Sequence, residues 1–326
     1  MPDNIPKKNA FHPGERALQS SIGALEKMQT LGERLLRTVI VDQHKEFYPG
    51  LPCIFIGALD KSDRPWATMA YGDLGFVSAK SDTTLSIAAR PIGEDILKLQ
   101  LSKNNDVGLL GLNFSNRRRN RLNGTIGQSD DRSFSIEVKQ SFGNCPKYIH
   151  TRHIDNNCNL GAITNTSLFS SLNNEIIEVI DNCDCFFIAS AHQKMNIEST
   201  TVTDDTLDSV YGVDVSHRGG KTGFVTINNN KQLAWDDYPG NKFFNTLGNI
   251  YVNPQVGLLF VNFETGDLYL LNGKATIQNY PEDDIASMAT GQILRQVLFD
   301  LEEGIHFSMS GQLNWPTLEY SPALDA

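Results

Sequence analysis

The sequence contains the same short segments twice, in the same order. Three pairs share one register: Gly75-Phe-Val77 with Gly223-Phe-Val225, Val107-Gly-Leu-Leu110 with Val256-Gly-Leu-Leu259, and Asn123-Gly124 with Asn272-Gly273. Their offsets are 148, 149 and 149 residues. Chance produces single short matches, but not an ordered series at a nearly constant offset. The chain is therefore predicted to contain two copies of one β-rich unit.

The start of the unit is repeated at a shorter offset. Cys53-Ile-Phe-Ile56 returns as Cys185-Phe-Phe-Ile188, which is 132 residues later, so the second copy carries an insertion near its start. Two diverged copies predict a pseudo-dimer. A site that usually needs two subunits can then form within one chain.

Composition is that of a globular protein with room for two cores. The chain has 326 residues and a net charge of −10, which disfavours broad attraction to nucleic acid or to an anionic membrane. No signal-peptide core and no apolar run of about 20 residues is seen, so a cytoplasmic protein is expected. The cysteine count is odd, and Cys183-Asp-Cys185 lacks the spacing of zinc or redox pairs. Free thiols are expected.

Periodicity predicts a mainly β fold with peripheral helices. Helical apolar spacing occurs in five segments: residues 14–41 (one helix or two), 92–101, 172–180, 243–252 and 285–302. Short apolar runs between turn residues predict strands and a small barrel in each half. The predicted organisation is an N-terminal arm and helix (1–41), a first barrel (42–150), a linker with a helix (151–183) and a second barrel (184–326). The polar stretch 192–212 is predicted to be a surface insertion.

One pair of segments in the second copy could hold a phosphate. Asp214-Val-Ser-His-Arg-Gly-Gly220 is followed by Asp237-Tyr-Pro-Gly-Asn-Lys-Phe-Phe-Asn-Thr-Leu-Gly-Asn249. Arginine offers a bidentate fork, lysine a point charge, and a helix start free N–H groups. A plain turn at Gly219-Gly220 and simple helix capping by Asn241 and Asn245 explain the same pattern equally well. Neither a G-x-G-x-x-G nor a Walker motif is present, which excludes Rossmann and P-loop sites.

Several longer sequence segments resemble those of a known family. They are Phe11-His-Pro-Gly-Glu15, Arg64-Pro-Trp-Ala67, Arg117-Arg-Arg-Asn-Arg121, Gln140-Ser-Phe-Gly-Asn-Cys-Pro-Lys-Tyr-Ile149, Asp214 to Gly220, Gly240 to Asn249 and Gly257 to Asp267. With these segments the chain resembles the pyridoxamine 5′-phosphate oxidase-like flavin-nucleotide-binding family, in particular its branch with two split β-barrels. The resemblance covers almost the whole chain.

The resemblance implies one FMN between two tandem split barrels, held mainly by its phosphate. Ser216, His217, Arg218 and Gly219 match the strand that lines the flavin. The residues that match the phosphate-binding turn and helix start are Asn241, Lys242, Asn245 and Thr246. Gln140-Ser141 resembles the pair with which a partner barrel reaches the flavin. The first copy instead reads Arg90-Pro-Ile-Gly-Glu-Asp-Ile96, with two acids and no lysine, so one competent site per chain is expected.

Other candidates are weaker. The arginine cluster Arg117, Arg118, Arg119 and Arg121 is either a solvated charged edge, which is favoured for most of them, or an anion-binding wall. The segment Asn144 to Tyr148 could reach the site from the first half. His150 and His153 lack the companions of a metal site and are interpreted as surface histidines. His217 could be an acid–base group or a haem ligand, but a flavin hydrogen bond fits its neighbours better.

The expected function is that of an FMN-dependent oxidoreductase acting on a small molecule, with NADH or NADPH as a candidate electron donor. No catalytic residue and no metal ligand is predicted. Two alternatives stay open, namely a haem-binding or haem-degrading split-barrel protein and a flavin-binding sensor or store without turnover. No nucleic-acid or membrane partner is expected, and a homodimer stays open.

Overall fold

A computed structural model of the chain describes residues 9–154, 159–192, 207–281 and 293–324. The first half forms a seven-stranded antiparallel sheet with the order β2-β1-β5-β6-β7-β4-β3. Its strands are β1 (Cys53–Leu59), β2 (Pro65–Tyr71), β3 (Val77–Ala79), β4 (Thr84–Ile87), β5 (Asp106–Asn113), β6 (Arg118–Ser129) and β7 (Phe134–Gly143).

The second half repeats this strand order. Its sheet runs β11-β10-β14-β15-β16-β13-β12, and β9 pairs with β16 in addition. The strands are β9 (Ile163–Phe169), β10 (Cys185–His192), β11 (Gly212–Gly219), β12 (Val225–Asn229), β13 (Gln232–Asp236), β14 (Gln255–Val261), β15 (Leu268–Asn279) and β16 (Arg295–Met309). A small sheet joins β8 (Thr151–Arg152) to β17 (Thr317–Glu319). The predicted mainly β fold with two tandem β units is confirmed.

Helices surround the two sheets. They are α1 (Pro13–Ser21), α2 (Leu25–Leu35), α3 (Asp42–Phe47), α4 (Glu94–Leu97), α5 (Asn174–Asn182) and α6 (Asn245–Val252). Short 3-10 turns lie at 48–50, 208–210 and 322–324. No helix in the described ranges is both long and apolar enough to cross a membrane.

The repeated Val-Gly-Leu-Leu segment packs the two halves together. A Cβ at Gly108 would lie 2.7 Å from the Val213 carbonyl oxygen, and one at Gly257 would lie 2.4 Å from the Pro65 carbonyl oxygen. Only glycine permits such an approach of strands. Phe187 stacks on Phe55 with 3.5 Å between ring centroids, inside a buried core that draws side chains from both sheets. The repeat therefore encodes the contact between the halves.

Helix α1 fixes the start of α6. It begins with a capping box in which the His12 side chain accepts from the backbone N–H of Gly14, and Glu15 accepts from that of His12. A Cβ at Gly14 would lie 2.2 Å from the Gly248 carbonyl oxygen, so the two helices pack backbone to backbone. The N-terminal segment is thus part of the architecture around α6.

One predicted helix is wrong. Residues 295–302 of the segment predicted as a helix over 285–302 belong to strand β16, whereas 285–292 lie outside the described residues. Leu294, Val297, Leu298 and Leu301 have helical spacing, but Val297 and Leu301 alternate in burial with exposed neighbours. Pairing with β13 and β15 decides in favour of the strand.

The remaining helix predictions differ from the structure mainly in their bounds. The segment 14–41 forms two helices, α1 and α2, and the segment 92–101 is helical only over α4. Helices α5 and α6 lie at the predicted places. The predicted linker also contributes β8 and β9. Most of the predicted insertion, residues 193–206, lies outside the described residues.

Candidate functional site

A cleft between the halves brings eight predicted site residues together. Strand β11 and the start of α6, with the loop before it, line the cleft with Ser216, His217, Arg218, Gly219, Asn241, Lys242, Asn245 and Thr246. The first half contributes the opposite side with Arg119, Arg121, Asn144, Lys147 and Tyr148. The cleft therefore needs both halves of the chain.

The β11 side places a histidine and an arginine next to each other. His217 is buried, and its ring contacts that of Phe187 edge-on, with centroids 5.6 Å apart. Burial, and then the nearby charge of Arg119, holds the pKa of His217 well below its usual value, so this imidazole is neutral at pH 7. Arg218 donates from Nη1 to Ser216 Oγ at 3.1 Å.

The loop before α6 has an unusual backbone. Lys242 and Phe244 have φ values of 64° and 61°, in the left-handed region that L residues seldom adopt. Asn241 Oδ1 accepts from the Phe243 N–H at 3.0 Å and holds the turn. Helix α6 has no side-chain cap, and its first residues Asn245 and Thr246 line the cleft, so no side chain of the N-cap residue occupies the N–H groups of this turn. Such strain is typical of binding sites.

Tyr148 of the first half contacts the second half at the cleft. It also has a left-handed φ, 66°, and its hydroxyl donates to the Pro239 carbonyl oxygen at 3.0 Å. Its ring lies 5.1 Å from that of Tyr238. A Cβ at Gly219 would lie 2.1 Å from the Tyr148 carbonyl oxygen, which explains why glycine ends β11. Two tyrosine rings therefore stand at the cleft wall.

A buried network links the first half to the α6 helix start. Arg121 Nη1 lies 3.1 Å from Asp214 Oδ2 and donates to Asn245 Oδ1 at 3.0 Å. Asn245 Nδ2 donates in turn to Glu15 Oε1. Burial raises the pKa of Glu15 to about 8, so this carboxyl is mostly protonated at pH 7. The network fixes the Asn245 amide at the cleft.

The cleft has an excess of positive charge. Within the described chain, no carboxylate forms a salt bridge with Arg119, Arg218, Lys147 or Lys242, although all four line the cleft. Burial, followed by repulsion from Arg121 and Arg218, lowers the pKa of Arg119 to about 9. Asp236 and Asp237 line the cleft as well, and Asp237 attracts Arg218, but cationic side chains outnumber carboxylates in the described lining. This excess of positive charge forms a site for an anion.

Two predicted residues lie elsewhere. Gln140 and Ser141 are buried on β7 and do not line the cleft. Ser141 Oγ is 3.1 Å from His44 Nδ1, and Gln140 is opposite Asn123 in the ladder. Both residues are therefore part of the first-half sheet and stand outside the lining of the cleft.

Two interpretations need correction. The solvated charged edge, which is favoured for most of the arginine cluster, fits the exposed Arg118, but Arg121 is 4% exposed and lines the cleft with Arg119. His150 is not a surface histidine, because it is buried, with Nε2 2.8 Å from the Gly220 carbonyl oxygen and Nδ1 accepting from the Ser321 N–H at 2.9 Å. In the part of the chain that is described, no group of three or more His, Cys, Asp or Glu could hold a metal ion.

The four cysteines that the structure describes are buried or partly buried. Cys53 and Cys185 are buried, and Cys145 and Cys183 are partly buried. Cys158 lies outside the described residues. Burial raises the pKa of Cys183 and Cys185, which keeps both as thiols.

The corresponding place in the first copy is filled with apolar side chains. Strand pairing makes Leu270 the counterpart of Arg121, because they stand opposite Leu259 and Leu110 of the repeated segment. Leu268 is the counterpart of Arg119, since each stands opposite the residue two positions further along. Met69 takes the place of His217, since each faces the phenylalanine of its neighbouring strand. These residues belong with Phe307 to one hydrophobic core. Arg90 of the first-copy loop is held by Glu94.

A second, larger groove has fewer basic side chains among its described lining residues than the cleft has. Its basic lining residues are Arg152 and His153. Arg152 forms a buried ion pair with Asp184 and lies over the ring of Phe263. This groove therefore offers no anion site comparable to the cleft.

Comparison with known proteins gives weak structural matches. No protein-family model and no curated protein matches the sequence. Among solved structures, a candidate pyridoxamine 5′-phosphate oxidase from Lactobacillus delbrueckii is 14% identical, with a TM-score of 0.30 over 42% of this chain and 94% of its own. HupZ of Group A Streptococcus is 17% identical, with a TM-score of 0.30 over 44% of this chain and 98% of its own. A FAD-binding protein from Mesorhizobium loti is 8% identical, with a TM-score of 0.27 over 43% and 97%. Matches of this strength carry no functional assignment.

Proposed function

We propose that the protein binds FMN in the cleft between its halves and uses it as an oxidoreductase on a small molecule. The observation that carries the proposal is the set of unpaired cations around the uncapped start of α6. Arg218 and Lys242 would hold the phosphate, together with the N–H groups of the first helical turn. The left-handed backbone at Lys242 supports a binding role for the loop.

The residues present fit the rest of a flavin nucleotide. Tyr148 and Tyr238 offer aromatic surface, and His217 and Ser216 offer polar groups along β11. When bound, the flavin supplies the electron-transfer chemistry. The protein positions the ring, excludes water with the first half, and balances the negative charge.

Haem is the second candidate. His217 is neutral, and its Nδ1 atom is buried without a hydrogen-bond partner in the described ranges. A neutral imidazole is a common haem ligand, and the cleft arginines could pair with carboxylates of the porphyrin. Flavin is favoured because the cations cluster at a helix start, which suits a phosphate.

The decisive test is the identity of the bound small molecule. Purified protein is heat-denatured, and the released ligand is identified by chromatography and its visible spectrum. FMN, or uptake of added FMN by colourless protein, would support the proposal, whereas haem or no flavin uptake would refute it. Incubation of the FMN-loaded protein with NADH or NADPH without oxygen, followed by air, then tests turnover. Absence of reduction and of reoxidation by any small-molecule partner would favour a flavin sensor or store.

A further inference from the structure

The first half brings its own unsatisfied donors to the cleft. Arg119 Nε and Asn144 Nδ2 are buried and find no hydrogen-bond partner in the described structure. The backbone N–H of Asn144 donates to the Arg119 carbonyl oxygen at 3.3 Å, so the backbones of the two residues are adjacent. Lys147 lines the same cleft. Buried donors without partners are costly, and a ligand that accepts from them removes this cost.

The fold itself does not require polar residues here. Leu268 and Phe307 face each other across β15 and β16, as Arg119 and Asn144 do across β6 and β7. The second copy thus places an apolar core pair where the first copy places two free donors. The polar pair is therefore better explained by a ligand than by folding.

The charges exceed what one phosphate neutralises. Among the described residues, six cationic side chains line the cleft, and three carboxylates lie in or beside it, namely Asp214, Asp236 and Asp237, which leaves a formal net charge of +3 (6 − 3). A phosphate monoester carries about two negative charges at pH 7. If Arg218 and Lys242 bind that phosphate, a net positive charge remains at the cleft. Lys147 is exposed to solvent, but Arg119 has a buried Nε without a partner, so its charge is poorly screened.

We infer that the cleft binds two anionic groups, the flavin phosphate on Arg218 and Lys242 of the second half, and a carboxylate or phosphate on Arg119, Asn144 and Lys147 of the first. The inference rests on the proposed function for the identity of the first anion. The second anion belongs either to the same ligand, as in a dinucleotide, or to a separate anionic substrate. Both sources present the same chemistry to Arg119.

Calorimetric titration with inorganic phosphate tests the inference. The free protein should bind two phosphates per chain, and the FMN-loaded protein one. Arg119→Gln should weaken the phosphate that remains in the loaded protein by about tenfold or more and change the FMN Kd by less than about twofold. Lys242→Asn should do the reverse. Lys103→Gln, an exposed lysine outside the cleft, is the matched control and should change neither.

Titration with FAD distinguishes a second anion that belongs to a dinucleotide from one that belongs to a separate substrate. If FAD binds tighter than FMN and abolishes the remaining phosphate site, the second anion is that of a dinucleotide. If the FAD-loaded protein still binds phosphate, the second anion comes from a separate substrate. Lys147→Gln, at an exposed position, replaces Arg119→Gln if that variant does not fold.

Failure of the inference differs from failure of the proposed function. If FMN does not bind, the proposed function fails. Titration of the free protein with inorganic phosphate still shows whether the cleft has two anion sites. Two phosphates, one weakened by each variant, would support two anion sites. A single phosphate weakened by both variants, no phosphate binding, or an Arg119→Gln variant that loses FMN as strongly as Lys242→Asn would overturn the inference.

Discussion

Arg121 donates a hydrogen bond to the Asn245 side chain at 3.0 Å across 124 residues of sequence. This contact joins the first half to the helix start at which the flavin phosphate is proposed to bind. Asp214 lies at the same point, 3.1 Å from Arg121. The proposed ligand site therefore lies at the interface between the halves. Substitutions in either half should change both the stability of the protein and its affinity for the ligand.

Lys242 should act on the phosphate and not on the flavin ring. Lys242→Asn removes the charge with a residue that tolerates the left-handed backbone. We expect FMN binding to weaken by roughly 1.5–3 kcal/mol, about ten- to a hundredfold, because a charge-assisted contact is lost. Riboflavin, which has no phosphate, should bind poorly to the wild type and be little affected. Fluorescence titration measures both ligands, and equal losses for the two would contradict the assignment.

Glu15 should make stability depend on pH. Its pKa is raised from 4.5 to about 8 by burial, so the folded protein holds a proton that the unfolded chain releases between these values. The Glu15 contribution is fully present below pH 4.5 and is lost as pH rises to 8, by up to about 1.4 kcal/mol for each pH unit. Glu15→Gln keeps an oxygen for Asn245 and cannot ionise.

Denaturant unfolding of both proteins from pH 4.5 to 9 measures this difference. The wild type should lose stability relative to Glu15→Gln as pH rises to 8, and the difference should level off above that. Above pH 8 the wild type should also bind FMN less tightly than the variant does, because an ionised Glu15 adds negative charge beside Asp214. Parallel stability profiles would show that Glu15 is ionised already at low pH.

Removal of one partner of the buried Arg121–Asp214 ion pair should destabilise the protein. Both side chains are about 5% exposed or less, and Arg121→Met leaves a buried carboxylate without its cation. We expect a loss of about 3–5 kcal/mol in the free energy of unfolding. Arg121→Met with Asp214→Asn should recover much of this loss, since the uncompensated charge is gone. A double variant no more stable than Arg121→Met would contradict the explanation.

Phe307 should stabilise the hydrophobic core that fills the first-copy counterpart of the cleft, without affecting FMN binding. It is fully buried where the first copy would otherwise have a cleft, and its ring would lie 2.3 Å from a Cβ at Gly93. Phe307→Ala should cost about 3–5 kcal/mol and leave FMN affinity unchanged in the folded protein. Leu168→Ala, at a side chain 75% exposed, is the control and should change stability little. Loss of FMN with unchanged stability would contradict this role.

The fold could be predicted to the extent that local pattern and tertiary contacts agree. Gly108 and Gly257 recur because both copies need close backbone contact with the other half, so the repeat appeared in sequence. Residues 295–302 were misassigned because Leu294, Val297, Leu298 and Leu301 satisfy the helical period as well. Only pairing with neighbouring strands separates the two periods for a short apolar run.

The second-half side of the site is predictable from sequence, and the first-half side only in part. The segment Asn144 to Tyr148 is predicted to reach the site and lines the cleft, whereas an anion-binding wall is only the less favoured interpretation of the arginine cluster. The second-half residues lie in two short segments, 216–219 and 241–246, that are each rich in polar side chains. Arg119 instead reaches the cleft through strand pairing and the packing of the halves. The register relation to Val-Gly-Leu-Leu could have indicated Arg119 and Arg121, because their counterparts are leucines. For Glu15, the sequence gives no sign of the contact with Asn245, which is 230 residues away.

The number of FMN molecules bound per chain tests the central claim most directly. Equilibrium titration of the full-length protein with FMN, with protein concentration determined by amino-acid analysis, gives this number. We predict one FMN per chain, because the second-half residues form a cation-lined cleft with the first half and the corresponding place in the first copy is filled by Leu268, Leu270 and Phe307. Two FMN per chain, or none, would contradict the account.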